Sequence, residues 1–389
     1  MILLDKPLVS DFLRQMIRDG QIRALDTGNV MVPPEANLLS EEEALEAYHA
    51  DPRMNLHTSS ENAIKWIFDR LPQSHLLQKI SLFKNKVVFR EMMKDMYPGF
   101  FFRKVHIEAL DHISFDNLPK PFIIKPATGF FSMSVHKVFD EEGWEKTRAK
   151  IRAELDSLRY VYPEEVLQLD EYIIEENIEG EEFAFDAYFD DDGNAVVVGI
   201  MHHPFSGEGD VSDRVYNTSR DIVKNNLEKF DSFLAALGQR AGLRNFSLHV
   251  EVRINGQGKV IPIEVNPLRF GAWCTSADLA HYAFGFNPYS AYINKLRPDW
   301  KKILKAAGED IYSIIILENS TGIKGSEIKS FNYEKVLGEL TKTTVLEMRS
   351  INFREYPIFG ILFTRTAPQD YSIIDKMLHA DMSDFIARA

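Results

Sequence analysis

The feature that most constrains the fold is an alternation of apolar and polar residues over positions 246–266, interrupted by one turn. Apolar side chains occupy every second position from Phe246 to Ile254, and polar side chains fill the positions between them. A period of two places these two sets on opposite faces of a β-strand. The segment 255–258 has the composition of a turn, and the alternation resumes after it. The sequence therefore predicts a β-hairpin with one apolar face and one face that carries functional groups.

The register of this hairpin indicates which polar side chains meet. If the tip lies at 256–257, His249 faces Glu264, and Glu251 lies diagonally across from Glu264. Carboxylates on adjoining strands can share a cation, and Mg²⁺ usually takes one or two carboxylates together with phosphate oxygens. Glu251, Glu264 and Asn266 are therefore the candidate metal ligands. A hairpin with an ordinary solvated polar face is the alternative interpretation.

Two arginines strengthen the interpretation as a metal site. Arg269 follows the second strand within the segment Asn266-Pro267-Leu268-Arg269-Phe270-Gly271, and Arg253 lies on the polar face of the first strand. An arginine beside a metal-binding strand can neutralise a phosphoryl group in transfer. Arg269 and Arg253 are the candidate catalytic residues.

These residues resemble the ATP-grasp superfamily, in which the metal-binding hairpin ends in a Glu-x-Asn-Pro-Arg-like segment. Glu264-Val265-Asn266-Pro267 matches that segment, and Glu251 takes the place of the earlier acidic ligand of the family. Other matching segments follow the order of the family, and the resemblance covers about residues 86–290. It implies that the chain binds ATP with Mg²⁺ or Mn²⁺, as two ions that the later glutamate bridges.

The resemblance also implies a role for each of the other matching segments. A lysine at a helix start and a lysine in an apolar strand reach the phosphates, the loop after that strand covers them, and an acidic hinge meets adenine and ribose. The nucleotide-binding residues implied in this way are Lys86, Lys125, Thr128, Gly129, Ser132, Ser134, Glu175, Glu176, Ile178 and Glu182. The loop departs from the family pattern at Phe130 and Phe131, and Leu268 places Arg269 one residue later than is usual.

The order of predicted elements indicates an α/β (α+β) chain of three parts. Residues 1–85 form a small N-terminal α/β domain with no glycine-rich dinucleotide fingerprint. Residues 86–300 form the ATP-grasp fold, with a lid at about 105–175. Residues 301–389 form a C-terminal α/β extension, either an appended domain or a dimerisation element, so a homodimer is possible.

Composition excludes several classes of partner. The net charge of −13 argues against binding to nucleic acid, and no apolar run approaches the roughly 20 residues of a membrane helix. Cys274 is the single cysteine, which excludes disulfides within one chain and favours a cytoplasmic location. We expect Cys274 to be a packed residue, because no basic group is evident beside it.

The function that the resemblance implies is that of an ADP-forming carboxylate–amine ligase. A carboxylate attacks the γ-phosphorus of ATP, and an amine then displaces phosphate from the acyl phosphate, with Arg269 or Arg253 stabilising the developing anion. The segment 202–214 is a candidate wall of the acceptor pocket. Two alternatives remain open: a kinase on the same fold, and a nucleotide-binding regulatory protein without turnover.

Overall fold

The computed structural model describes residues 1–28, 30, 37–129, 134–158 and 168–388. Over these ranges helices and strands alternate in a mixed α/β fold, as the sequence predicts. None of the helices in these ranges is both long and apolar enough to cross a membrane.

The N-terminal unit is a small parallel sheet flanked by helices, and its strand order is β2-β1-β3. Its first helix begins where the sequence predicts, because the Ser10 hydroxyl accepts a hydrogen bond from the amide of Leu13 (3.2 Å). The elements are β1 (Ile2–Leu4), α1 (Asp11–Arg18), β2 (Ala24–Asp26), α2 (Glu41–Ala50), β3 (His57–Thr58) and α3 (Ile64–Arg70).

Two helices, α4 (Leu76–Lys84) and α5 (Lys86–Met93), connect this unit to the next sheet. The Asn85 side chain accepts hydrogen bonds from the amides of Val87 and Val88 (3.0 and 3.1 Å), which caps α5. Lys86 is therefore the first residue of a helix, as the sequence predicts.

The next sheet is antiparallel, with the strand order β4-β7-β5-β6, and helix α6 contacts its edge strand β6. Trp144 of α6 is almost fully buried against Phe122 of the sheet, with ring centroids 5.4 Å apart. The elements are β4 (Phe102–His106), β5 (Phe122–Thr128), β6 (His136–Val138), α6 (Glu141–Leu158) and β7 (Gln168–Glu176). We call this unit the lid sheet.

The largest sheet has eight strands in the order β12-β11-β8-β9-β10-β13-β16-β15, and we call it the central sheet. Its strands and helices are β8 (Glu181–Phe189), β9 (Ala195–His203), β10 (Val215–Thr218), α7 (Arg220–Ala241), β11 (Phe246–Ile254), β12 (Val260–Pro267), α8 (Gly271–Phe284), α9 (Pro288–Ile293), α10 (Trp300–Ala306) and β13 (Ile311–Glu318). Helix α7 packs on one face, where Phe230 stacks on Phe185 with ring centroids 4.5 Å apart.

The C-terminal segment continues the central sheet through β13, β15 (Thr343–Ser350) and β16 (Ile358–Thr366). Its other elements are β14 (Ile328–Phe331), α11 (Tyr333–Glu339), α12 (Ser372–Leu378) and β17 (Ile386–Arg388). The sequence predicts a helix over 371–387, and that prediction is wrong in its second half. Helix α12 ends at Leu378, because Asp381 accepts a hydrogen bond from the amide of Ser383 (2.8 Å) and begins a separate turn.

The predicted register of the 246–266 hairpin is also wrong. The tip is a three-residue loop at 256–258, in which Gly258 has a φ of +76°. A β-bulge at Ile263 then shifts the register again. As a result Glu251 lies directly opposite Glu264 and His249 lies opposite Asn266. Directly opposed residues have closer Cβ atoms than diagonal ones, so the two carboxylates are better placed to share a cation than predicted.

We predict that Leu234→Ala lowers the free energy of unfolding by about 2–5 kcal/mol, because Leu234 is a fully buried residue of α7 and its truncation leaves a cavity. Lys224→Ala is the matched control, since Lys224 is exposed on the same helix and we expect a change within about 0.5 kcal/mol. Urea unfolding measures both. Similar losses in the two variants would contradict the assigned packing face of α7.

Candidate active site

One cleft is lined by both the lid sheet and the central sheet. The two carboxylates of the hairpin and both candidate arginines lie in its wall, together with most of the residues that the sequence assigns to a nucleotide. The sequence-predicted residues that line the cleft are Lys86, Lys125, Gly129, Glu175, Glu176, Ile178, Glu182, Glu251, Arg253, Glu264 and Arg269. Segments far apart in the chain therefore meet at one place.

Three of the other predicted residues do not line the cleft. Thr128 is buried at the end of β5, and the Ser134 hydroxyl donates to Glu154 of α6 (2.7 Å), away from the cleft lining. Asn266 is buried and does not line the cleft, but its Nδ2 donates a hydrogen bond to Glu264, which does. Ser132, with Phe130 and Phe131, lies outside the described residues.

The metal-binding candidates form a compact acidic pair. Glu264 Oε1 accepts a hydrogen bond from Asn266 Nδ2 (3.0 Å), and Oε2 pairs with Lys86 Nζ (3.0 Å). Burial raises the pKa of Glu264, but Lys86 and Lys125 outweigh it and lower the pKa to about 2, so the carboxylate is ionised at neutral pH. In the described part of the chain no group of three or more His, Cys, Asp or Glu residues forms a metal cluster. Two opposed carboxylates suit a Mg²⁺ ion whose remaining ligands are phosphate oxygens and water.

Lys125 is held in a buried triad with Glu175 and Arg90. Glu175 Oε2 pairs with Lys125 Nζ (2.9 Å), and its other oxygen accepts a hydrogen bond from Arg90. Arg90 also donates to the carbonyl of Pro262 (2.6 Å), which connects α5 to the 246–266 hairpin. Burial raises the pKa of Glu175, but the two cations lower it to about 2. Sequence reasoning missed Arg90, although its position four residues after Lys86 on one helix face was a usable signal.

Arg253 is held by the hinge between β7 and β8. Arg253 Nε pairs with Glu182 Oε2 (2.9 Å), and Arg253 Nη1 donates to the carbonyl of Ile178 (2.7 Å). The other oxygen of Glu182 contacts His203 Nδ1 (3.0 Å). Burial lowers the pKa of His203, but hydrogen bonding to Glu182 outweighs it and raises the pKa. Arg253 is thus bound to the hinge segment that the sequence assigns to adenine and ribose.

Arg269 also lines the cleft, and the N-terminal unit orients it. Its Nε pairs with Glu61 Oε1 (2.8 Å), and Glu61 also pairs with Lys84. Leu268 has a φ of +58°, and this left-handed residue turns the chain so that Arg269 still lines the cleft despite the insertion. Nothing in the sequence pointed to Glu61, because it lies 208 residues before Arg269.

The chain then makes an unusual left-handed turn at 272–274, with φ angles of 45°, 55° and 66°. Non-glycine residues in this region cost about 1–3 kcal/mol each, and surrounding contacts must hold them. Here the amide of Gly271 donates to Asp186 Oδ1 (3.0 Å), and the hydroxyl of Ser276 donates to the carbonyl of Gly271 (3.1 Å). Asp186 also pairs with His249 Nδ1 (2.7 Å), so this turn is fixed to the 246–266 hairpin.

Cys274 is packed in the interior, as the sequence predicts, but one expectation about it is wrong. A basic side chain does lie beside it, since His57 Nε2 is 3.5 Å from the sulfur. Burial raises the pKa of the thiol to about 12 and lowers the pKa of His57 to about 3. Both groups are therefore neutral at physiological pH, and the thiol is not activated.

The 202–214 segment, a candidate wall of the acceptor pocket, also reaches the cleft. Phe205, Val211 and Asp213 line it. Asp213 Oδ1 accepts a hydrogen bond from the hydroxyl of Tyr216 (2.6 Å), and burial raises the pKa of Asp213 to about 6.

Residues 118–277 match the family described as ATP-grasp domain. No curated protein matches the sequence. Among solved structures, an L-amino acid ligase from Bacillus licheniformis aligns with a TM-score of 0.64 at 15% identity, over 100% of this chain and 98% of that one. N5-carboxyaminoimidazole ribonucleotide synthetase from Thermotoga maritima has a TM-score of 0.58 at 14% identity, over 100% and 99%. Biotin carboxylase from Campylobacter jejuni has a TM-score of 0.58 at 12% identity, over 100% and 91%. The fold is therefore the ATP-grasp fold.

We predict that Lys125→Ala weakens Mg-ATP binding at least about 10-fold, because a charge-assisted contact to phosphate contributes roughly 1.5–3 kcal/mol. Isothermal titration calorimetry measures this effect. Lys104→Ala is the control, since Lys104 is an exposed lysine on β4 of the same sheet and pairs only with Glu171 among the described residues. Equal affinity in Lys125→Ala and Lys104→Ala would mean that Lys125 does not reach the nucleotide.

We also predict an acid-dependent contribution of Glu175 to stability. Its folded pKa of about 2 lies below the ordinary value of 4.5, so its stabilisation is present above pH 4.5 and is lost as the pH falls towards 2. Urea unfolding between pH 6 and pH 2 should therefore show a steeper loss of stability in the wild type than in Glu175→Gln. Glu42→Gln, at an exposed position of α2, should keep the wild-type slope. A wild-type slope in Glu175→Gln would exclude this linkage.

Proposed function

We propose that this chain, whose residues 118–277 match the ATP-grasp domain family, is an ADP-forming ligase that activates a carboxylate with ATP and joins it to an amine. The observation that carries the proposal is the direct pairing of Glu251 and Glu264 in a cleft that also contains Lys86, Lys125 and Arg269. The full-length likeness to an L-amino acid ligase and to a ribonucleotide synthetase supports it.

In this proposal the lid sheet and hinge bind the nucleotide. Lys86 and Lys125 exchange their present carboxylate partners for phosphate oxygens, since phosphate is a multiply charged acceptor. The hinge residues 176–178 face adenine, and Glu182 accepts hydrogen bonds from the ribose hydroxyls. Glu251, Glu264 and Asn266 would hold Mg²⁺, as two ions. When bound, Mg²⁺ neutralises charge on the phosphate oxygens.

The protein contributes positioning and charge stabilisation to the chemistry. An oxygen of the substrate carboxylate forms a bond to the γ-phosphorus while the bond from that phosphorus to the β,γ-bridging oxygen breaks, releasing ADP. The amine nitrogen then attacks the acyl carbon, loses a proton, and displaces inorganic phosphate. Arg269, fixed by Glu61, stabilises the charge that develops on the transferred group, and Arg253 keeps the hinge in place. These steps require no serine or cysteine nucleophile.

The test is a ligation screen on the full chain with Mg-ATP and pairs drawn from amino acids and small carboxylic acids. Phosphate release and mass spectrometry identify the products. The ligase proposal predicts phosphate release that depends on both a carboxylate and an amine, with a condensed product. A phosphorylated hydroxyl product would identify a kinase instead. Nucleotide binding without turnover across the screen would favour a regulatory protein.

We predict that Glu264→Gln reduces ATP turnover to less than about 1% of the wild type, because loss of a preorganised charge costs about 10²–10³ in rate. The variant should remain folded, since the opposite face of the hairpin packs in the core through Val250 and Val265. Glu179→Gln is the control at an exposed position of the hinge. Phosphate release and thermal melting are measured together, and substantial turnover in folded Glu264→Gln would remove Glu264 from the metal site.

A further inference from the structure

Lys86 and Lys125 each pair with one carboxylate of the cleft, and the two carboxylates differ in what can replace the lysine. Lys86 Nζ pairs with Glu264 Oε2 (3.0 Å), and Lys125 Nζ pairs with Glu175 Oε2 (2.9 Å). In the proposed function both lysines turn to phosphate oxygens, and the charge of Glu264 is then balanced by Mg²⁺. Glu175 is not among the proposed metal ligands, so its positive partner must come from the protein.

The carboxylate of Glu175 is almost completely removed from water. Its side chain is 3% exposed, and that of Lys125 is 5% exposed. A buried carboxylate that loses its only cationic partner costs several kcal/mol. The release of Lys125 to a phosphate would therefore be opposed by Glu175 unless a second cation stays in place.

Arg90 of α5 is that second cation. Its Nε donates to the other oxygen of Glu175, and its side chain is 3% exposed. Nη1 donates to the carbonyl of Pro262 (2.6 Å), Nη2 donates to the carbonyl of Ile263 (3.4 Å), and the guanidinium lies over the ring of Phe100 (4.3 Å to the centroid). Arg90 does not line the cleft, whereas Glu175 does. A ligand that enters the cleft therefore leaves the contacts of Arg90 in place.

The charges of this triad lead to the same assignment. Arg90 and Lys125 carry two positive charges and Glu175 carries one negative charge, so the triad has a net charge of +1. Of the two cations only Lys125 lines the cleft, so the excess positive charge is available to a ligand at Lys125. Loss of the Arg90 charge would leave Lys125 and Glu175 as a neutral pair, with no excess charge for a phosphate.

We propose that Arg90 is a positioning residue that neutralises Glu175 and thereby releases Lys125 to the phosphates of a bound nucleotide. Arg90 itself touches neither the nucleotide nor the metal ion. The assignment rests on the nucleotide-binding part of the proposed function and adds a residue to it. Because Arg90 also binds two carbonyls of β12, the strand that carries Glu264, it connects the hinge carboxylate to the hairpin.

A double-mutant cycle on the full chain tests this role through the affinity for Mg-ATP, measured by calorimetry. Arg90→Gln should weaken binding at least about 10-fold in the wild-type background, because Lys125 then stays with Glu175. In the Glu175→Gln background the same substitution should change affinity by less than about 3-fold, because no carboxylate is left to retain Lys125. The cycle cancels any contact that Glu175 itself makes with the nucleotide. Arg90→Lys keeps the charge and should bind within about 3-fold of the wild type.

Arg240→Gln of α7 is the matched control. Arg240 also pairs with a carboxylate, that of Asp95 (3.2 Å), and donates to a carbonyl of α5, that of Met92 (3.3 Å), but it does not line the cleft. We expect this variant to keep the wild-type affinity. Melting curves identify the folded variants, and the double variant removes one charge of each sign, so it is expected to fold.

Two results overturn the role of Arg90. The first is wild-type affinity in folded Arg90→Gln. The second is a similar loss of affinity from Arg90→Gln in both backgrounds, since a purely structural role does not depend on the charge of residue 175. If Arg90→Gln does not fold, Arg90→Lys and the Glu175→Gln background decide, and a loss of 10-fold or more in either one overturns the proposal.

The outcomes of this experiment and of the ligation screen are separable. If the variants behave as expected but no pair of substrates supports phosphate release, the ligase proposal fails and the role of Arg90 stands. If phosphate release requires a carboxylate and an amine but folded Arg90→Gln binds Mg-ATP as the wild type does, the ligase proposal stands and the role of Arg90 fails. No binding of Mg-ATP by the wild type overturns both.

Discussion

The structure depends on one constraint: a charge removed from water must have a partner of opposite charge. An unpaired buried charge costs several kcal/mol, so the charged cleft can exist only if its members neutralise one another. The pairs are Glu61 with Lys84 and Arg269, Lys86 with Glu264, Glu175 with Arg90 and Lys125, Glu182 with Arg253 and His203, and Asp186 with His249. Most of these pairs join different elements, so the interactions that prepare the cleft also hold the units of the protein together.

The same pairing reconciles the overall charge of the chain with its proposed ligand. A net charge of −13 opposes an approaching nucleotide, but charges beyond a Debye length of about 10 Å are largely screened at 0.1 M salt. The cations in the cleft therefore have a larger effect on nucleotide binding than the net charge of the chain. Lys86 and Lys125 already lie in the cleft with carboxylate partners, and a phosphate that replaces those partners incurs little additional desolvation of the lysines. Release of Glu264 from Lys86 in turn leaves its oxygens for a metal ion.

The sequence predicted the elements of the site better than it predicted their contacts. The alternation over 246–266 and the helix start at Lys86 follow from local periodicity and capping, so they could be read directly. The facing of Glu251 and Glu264 could not, because it depends on a three-residue tip and on a bulge at Ile263 that no local pattern marks. Arg90 and Glu61 were missed because their partners lie in distant segments, and helix α12 was extended too far because a side-chain hydrogen bond at Asp381 ended the helical path.

The residues that line the cleft, and those that orient them, come from all three successive parts of the chain. Arg269 comes from the segment after the 246–266 hairpin, but Glu61 of the N-terminal unit fixes its orientation. Ile314 and Ile316 come from the C-terminal segment, whose strand β13 is hydrogen-bonded to β10 within the central sheet. Without β13, the edge of β10 and the part of the cleft that Ile314 and Ile316 line would both face water, an arrangement that favours aggregation. The C-terminal strands therefore complete the fold and the wall of the cleft by the same contacts, and a change to one is expected to alter the other.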